Sequence, residues 1–182
     1  MMDIVEARAF ARSKCDKDTT YRHLVSVEGV MRALSRRFEE DEETWALAGL
    51  FHDLDQDITD SDPDRHATLA AEWLRAEGVK EVVVNAVLAH NFPEYRTDRM
   101  ARAIVPADAV AGLLVAAALV RPEKSVGMKV SSVRKKLKEK AFAPGVNRDE
   151  INEVEDSIGL GVEDLIALGI EGLQQVASEI DL

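Results

Sequence analysis

The chain has 182 residues, 46% of them hydrophobic, enough to bury a sizeable core within one domain. Its formal net charge of −11 opposes general binding to nucleic-acid backbones or anionic membranes, so neither is expected as the main partner, while a local basic patch stays compatible with a small phosphorylated ligand. Cys15 is the single cysteine, which excludes an intramolecular disulfide and a cysteine-rich zinc site and fits a reducing compartment.

The N-terminal stretch MMDIVEARAFARSK alternates apolar and charged residues where a signal peptide needs an unbroken apolar core. The longest apolar run, Ala109 to Val120, has 12 residues, short of the roughly 20 that span a bilayer, and a cytoplasmic protein is expected. Leu24, Val27, Met31, Leu34 and Phe38 recur in steps of three and four and predict a core-facing helix with His23 on its inward side. A second helix starts at Asp41-Glu42-Glu43, whose charge suits the positive helix end, and runs through Trp45, Leu47 and Leu50 to end near His52 and Asp53. LDQDITDSDP then reads as a polar, solvated loop. Asp53, just before it, with Asp55 and Asp57 imitates the opening of an EF-hand, but Ile58 stands where the turn needs glycine and Asp64 where a bidentate glutamate belongs, which argues against calcium. Asp62 as N-cap and Pro63 at the first helical position predict a helix to Gly78 with His66 in its first turn.

From Lys80 to Asn91, Val82-Val83-Val84 favours a strand by propensity, whereas Val83, Val84, Val87, Leu88 and Asn91 keep helical steps and decide for a helix. Thr97 to Val120 predicts a helix interrupted at Pro106, after which Asp108 is the one ionisable group in a stretch of Ala, Val, Leu and Gly and so needs a partner. Lys124 to Lys140 is cationic, with Ser131-Ser132 as a helix start, and reads either as a phosphate clamp or as a solvated face offsetting an acidic protein. Asn147 and Glu150 form a capping-box pattern for a helix to about Gly159, and Val162 opens a last amphipathic helix. Every predicted element is a helix, so the expected fold is a compact all-α bundle forming one domain over residues 1–182.

All four histidines of the chain, together with Asp53 and Asp108, fall in the order H…HD…H…H…D. Imidazole nitrogens and carboxylate oxygens suit divalent transition metals, and six such groups exceed what one tetrahedral zinc needs. Adjacent residues inside a helix diverge by about 100°, so His52 and Asp53 converge only where their helix ends.

The motifs AGLFHDLDQD, RHLVSVEGVMRAL, RHATLAAEWL, VLAHN and IVPADAV, spread over about residues 20–120, make the chain resemble the HD superfamily of metal-dependent phosphohydrolases. Beyond it, VAAALVRPEKSVGMKVSSVRKKLKEKAFAPGVNRDEI (115–151) resembles the tail of a subgroup of small predicted hydrolases within that superfamily, and about 121–182 is expected to form a C-terminal helical extension. The resemblance implies that His23, His52, Asp53 and Asp108 hold a first divalent ion. It implies that His66 and His90 either hold a second ion, bridged by Asp53 as the catalytic carboxylate, or contact substrate phosphate. The ion could be manganese, iron, cobalt, nickel, zinc or magnesium. The implied reaction is attack of activated water on a nucleotide or other small phosphate ester; a di-iron oxygenase and a non-catalytic metal-binding sensor are the alternatives. Arg22 and Arg65, beside His23 and His66, either neutralise phosphoryl oxygens or face water, with Lys124, Lys129 and Arg134 as more remote substrate-binding candidates.

Overall fold

In the computed structural model, which describes residues 2–182, the expected all-α class is found, with no strand among the described residues. The helices in chain order are α1 (Ile4–Lys14), α2 (Asp18–Phe38), α3 (Glu42–Phe51), α4 (Gln56–Thr59), α5 (Thr68–Ala76), α6 (Glu81–Asn91), α7 (Arg99–Leu119), α8 (Val130–Lys138), α9 (Arg148–Asn152), α10 (Val154–Ile158) and α11 (Val162–Val176).

Two 21-residue helices, α2 and α7, form the centre. On α2 the predicted stripe of Leu24, Val27, Met31 and Leu34 is fully buried, and burying each such side chain stabilises the fold by about 1.5–3 kcal/mol. α3, α7 and α11 pack around α2, α6 lies between α3 and α7, and α5 rests on α6. α7 is long and apolar enough to cross a bilayer by length and composition, yet most of its apolar stretch is buried inside this protein, which accounts for its character. α2 and α11 cross backbone to backbone at Gly29 and Gly172, where a side-chain carbon on either residue would overlap the carbonyl oxygen of the other.

Four departures from the sequence reading have physical causes. α5 begins at Thr68, not after Asp62, and the residue before it, Ala67, takes a left-handed φ of 66°. The capping role passes from Asp62 to the distant Asp55, whose carboxylate accepts from Ala67 N (3.3 Å) and Ala70 N (2.9 Å). The aspartates after α3 are therefore not all solvated: Asp55 is fully buried, and Asp57 accepts from Asp16 N (2.8 Å), Lys17 N (2.9 Å) and Thr20 Oγ1 (2.7 Å), so it ties down the backbone that leads into α2. Pro106 does not interrupt α7. The carbonyl it leaves without a helical donor, Arg102 O, accepts from Ser157 Oγ at 3.1 Å instead. Finally, the helix expected from Asn147 to Gly159 is broken at Glu153 into α9 and α10. α1, unread in the sequence, starts with a reciprocal capping box between Asp3 and Glu6.

Candidate metal centre

Five separate elements bring the four histidines and two aspartates together. His23 projects from the second turn of α2, His52 closes the C-terminus of α3, and Asp53 sits in the turn beyond, where the two neighbours are released from helical divergence. His66 lies in the turn before α5, His90 in the last turn of α6, and Asp108 on α7 just beyond Pro106.

His23 Nε2 stands 2.8 Å from Asp108 Oδ1, 3.2 Å from His52 Nε2 and 3.9 Å from Asp53 Oδ2. His52 Nε2 is 3.6 Å from Asp53 Oδ2 and 3.7 Å from Asp108 Oδ1. The other oxygen of the same carboxylate, Asp53 Oδ1, faces His66 Nε2 at 3.0 Å and His90 Nε2 at 3.1 Å. Donors bound at about 2.1 Å to a common ion stand roughly 3.0 Å apart at octahedral and 3.4 Å at tetrahedral angles. The ligand atoms of His23, His52 and Asp108, and those of His52, Asp53 and His90, lie close enough together to share an ion, while His66 reaches Asp53 without joining either cluster.

Hydrogen bonds fix which ring nitrogens are free. His52 Nδ1–H donates to Gly49 O at 2.8 Å, leaving the Nε2 lone pair to face His23 and the aspartates. His66 Nδ1 lies 3.0 Å from Asp55 Oδ1 and 3.2 Å from Thr59 Oγ1, so Asp55 orients the ring from behind while Nε2 meets Asp53. Asp53 Oδ1 and His90 Nδ1 are buried without a hydrogen-bond partner among the described residues, and for Asp53 this holds despite two imidazole nitrogens within 3.1 Å. An orphaned carboxylate oxygen faced by ring nitrogens that do not hydrogen-bond to it is the arrangement a cation completes, and the six residues fit a divalent ion.

The electrostatics agree. Burial alone disfavours a charged His66, but the carboxylates of Asp53 and Asp55 on its two ring nitrogens push it up to about 10. Burial likewise opposes ionisation of Asp53 and Asp108, yet His52, His66 and His90 hold Asp53, and His23 and His52 hold Asp108, well below the usual carboxylate range. His23 is desolvated too, and Asp108 and Asp53 raise it above the ordinary imidazole value. Carboxylates crowded onto imidazoles favour protons there, and a divalent ion bound at these atoms would compete with those protons.

Among the described residues, none of the cations proposed from the sequence forms an ion pair with the six residues of the centre. Arg22 donates from Nε to Ile180 O at 3.3 Å, Arg65 is exposed, and Lys124 contacts the Asp181 carbonyl. Lys129 is the exposed N-cap residue of α8, and Arg134 pairs with Glu163. Three residues near the centre were given no role at it by the sequence reading, which took Asp55 for part of a solvated loop and Glu150 for a helix cap. Besides Asp55, Arg96 donates to Ala89 O (3.0 Å) and His90 O (3.4 Å) at the end of α6. Glu150 on α9 is half-buried, and its burial and the charge of Asp108 hold it above the ordinary carboxylate value. Helical periodicity carries no signal for any of them, because each acts through a contact distant in sequence or through a turn.

Three imidazoles and two carboxylates clustered closely enough to hold a metal ion, with His66 set against Asp53, inside an all-α fold define a helical metal-binding domain. The chain belongs to the HD domain family, whose model matches residues 20–123 and therefore takes in all six groups. It is also similar to Ribonuclease Y 2 of Levilactobacillus brevis, 29% identical over 90 residues, which cover 50% of this chain and 17% of that protein. The chain thus matches only a small part of that relative's length, and no solved structure matches it.

Proposed function

We propose that the protein is a metal-dependent phosphohydrolase with two divalent ions that acts on a small phosphate ester, nucleotides among them. The observation that carries this reading is the Asp53 carboxylate, whose Oδ2 faces His23 and His52 while Oδ1 faces His66 and His90. Divalent ions held there supply a Lewis acid that lowers the pKa of water toward neutrality and offsets charge on entering and leaving oxygens.

The chain's own groups prepare for that chemistry. His23, His52 and Asp108, clustered together, would hold the first ion with Asp53, while His66 and His90, which face the other oxygen of Asp53, would hold the second. Asp55 keeps the proton of His66 on Nδ1, so that Nε2 is the atom that gives up its proton and becomes a ligand. Gly49 does the same for His52 through its carbonyl. Arg65, exposed beside His66, and Arg22, whose Nε alone is engaged with the backbone, are the cations proposed to meet phosphoryl oxygens. A mixed imidazole and carboxylate donor set suits manganese, iron, cobalt, nickel or zinc better than magnesium.

Elemental analysis of anaerobically purified wild type and a His66→Ala variant tests the site, with metal expected to fall from about two ions per chain to about one. An unchanged count of one recasts His66 and His90 as phosphate contacts. Metal-loaded protein is expected to release phosphate or nucleoside from at least one member of a panel of mono-, di- and cyclic nucleotides and simple phosphoesters. Failure to turn over or bind any of them, or oxygen uptake by the iron-loaded protein, overturns the hydrolase reading.

A further inference from the structure

Away from the metal centre, α8 and the start of α11 border a groove of about 530 Å³, within the usual range of small-molecule sites. Arg134, Lys138, Lys140 and Arg148 line it, opposed by Asp149 and Glu163. A second hollow of about 290 Å³ continues along α8, sharing Arg134 and Lys138 and adding Lys135. None of the six metal-centre residues lines either space.

The cations here are mostly uncompensated. Arg134 pairs with Glu163, but among the described residues Lys135, Lys138, Lys140 and Arg148 have no carboxylate in ion-pair contact. Arg148 is instead surrounded by carbonyls, donating to those of Leu137, Glu139, Phe142, Ala143 and Val146. These bonds fix its guanidinium and hold the loop after α8, yet they leave its full positive charge beside the groove. In a chain of net charge −11, this concentration of unpaired cations around a concavity is the exception.

We propose that this groove binds a small polyphosphate anion, independently of the metal centre. The groove is short and the rest of the surface acidic, so a compact polyanion stays among the cations whereas a long nucleic-acid strand would run onto repelling surface. Glu163 holds Arg134 in the absence of ligand, and the anion takes its place. α9 separates the two sites: Arg148, Asp149 and Asn152 lie along the groove, while Glu150 is on the side subject to the charges of Asp108 and His90.

Calorimetric titration of the full chain with inorganic tripolyphosphate, in the presence of EDTA, tests this. Binding is expected to weaken steeply with salt, and Arg134→Gln and Lys138→Gln, both exposed changes that leave the circular dichroism spectrum intact, are each expected to weaken it about tenfold. Glu163→Gln is expected to tighten binding by freeing Arg134, while Glu77→Gln, an equal change of charge on α5's C-terminal side, leaves it unaltered. His66→Ala and His90→Ala are expected to leave the affinity within about twofold, which separates this groove from the metal centre whatever the fate of the hydrolase reading. Dissociation constants above about 1 mM at low salt, loss of binding through His90→Ala rather than Lys138→Gln, or tighter binding of single-stranded RNA than of tripolyphosphate, each overturns the proposal.

Discussion

His23 and Glu28 stand on the same helix, α2, and each belongs to a buried cluster of charge, but the two clusters are finished differently. Glu28, fully buried, accepts from Arg8 Nε (2.9 Å), Arg8 Nη2 (3.0 Å) and Arg32 Nε (2.9 Å), and the network runs on through Arg32 and Arg36 to Glu42 and Glu171. Its positive charges are arginines, which stay protonated at any accessible pH, so the chain itself closes the cluster. Around Asp53 and Asp108, among the described residues, the groups in ion-pair reach are histidines, which carry charge only when protonated, and one carboxylate oxygen accepts no hydrogen bond. Glu28 is thus satisfied outright by guanidinium groups, whereas Asp53 and Asp108 face imidazoles that could exchange a proton for an ion.

Three variants sharpen or break that contrast. Glu28→Ala leaves Arg8 and Arg32 without their buried partner and is expected to cost about 3–5 kcal/mol in denaturant unfolding while the folded fraction keeps its metal content. A small change in stability, or a loss of metal, means that the two clusters are not distinct. Asp55→Asn is expected to lower affinity for the second ion about 10- to 100-fold, read by chelator competition, with the first ion little affected, because Asp55 touches only His66 of the ligand set. Equal loss of both ions contradicts the division of labour inferred from the two oxygens of Asp53. The smallest effect is at Asp57, which has neither histidine nor arginine and is satisfied by the N–H groups of Asp16 and Lys17 and the hydroxyl of Thr20. Asp57→Ala is expected to cost about 1 kcal/mol at neutral pH, as for loss of a helix cap. Although its desolvation works the other way, those donors, with Lys17, hold the Asp57 carboxyl below the ordinary value. A depressed carboxylate contributes stability above its unfolded-state pKa and loses it as pH falls through the folded-state value. The gap between wild type and variant should therefore close in acid, and a gap that persists there assigns the cost to packing instead.

The ligand set was legible because histidine is scarce in this chain and each of its copies, with the two aspartates, falls in one motif order. The central helices were legible because Leu24, Val27, Met31 and Leu34 repeat at helical steps. What the sequence hid was held by contacts between distant segments. Asp55 lies in a polar stretch, and only the folded chain shows it reaching the start of α5 and the back of His66. Pro106 suggested a broken helix because Ser157, whose hydroxyl occupies the freed carbonyl, is 51 positions away.

The crossing of α2 and α11 at Gly29 and Gly172 has a consequence for what can vary. The stretch matched by the family ends at residue 123, yet α11, beyond it, presses its bare backbone against the helix that carries His23. Neither glycine can acquire a side chain unless the helices move apart, and a shift of α2 moves His23, so the two positions constrain each other's drift. The C-terminal helix, which holds no ligand, thereby limits how far the metal-bearing helix can be remodelled without losing its aim.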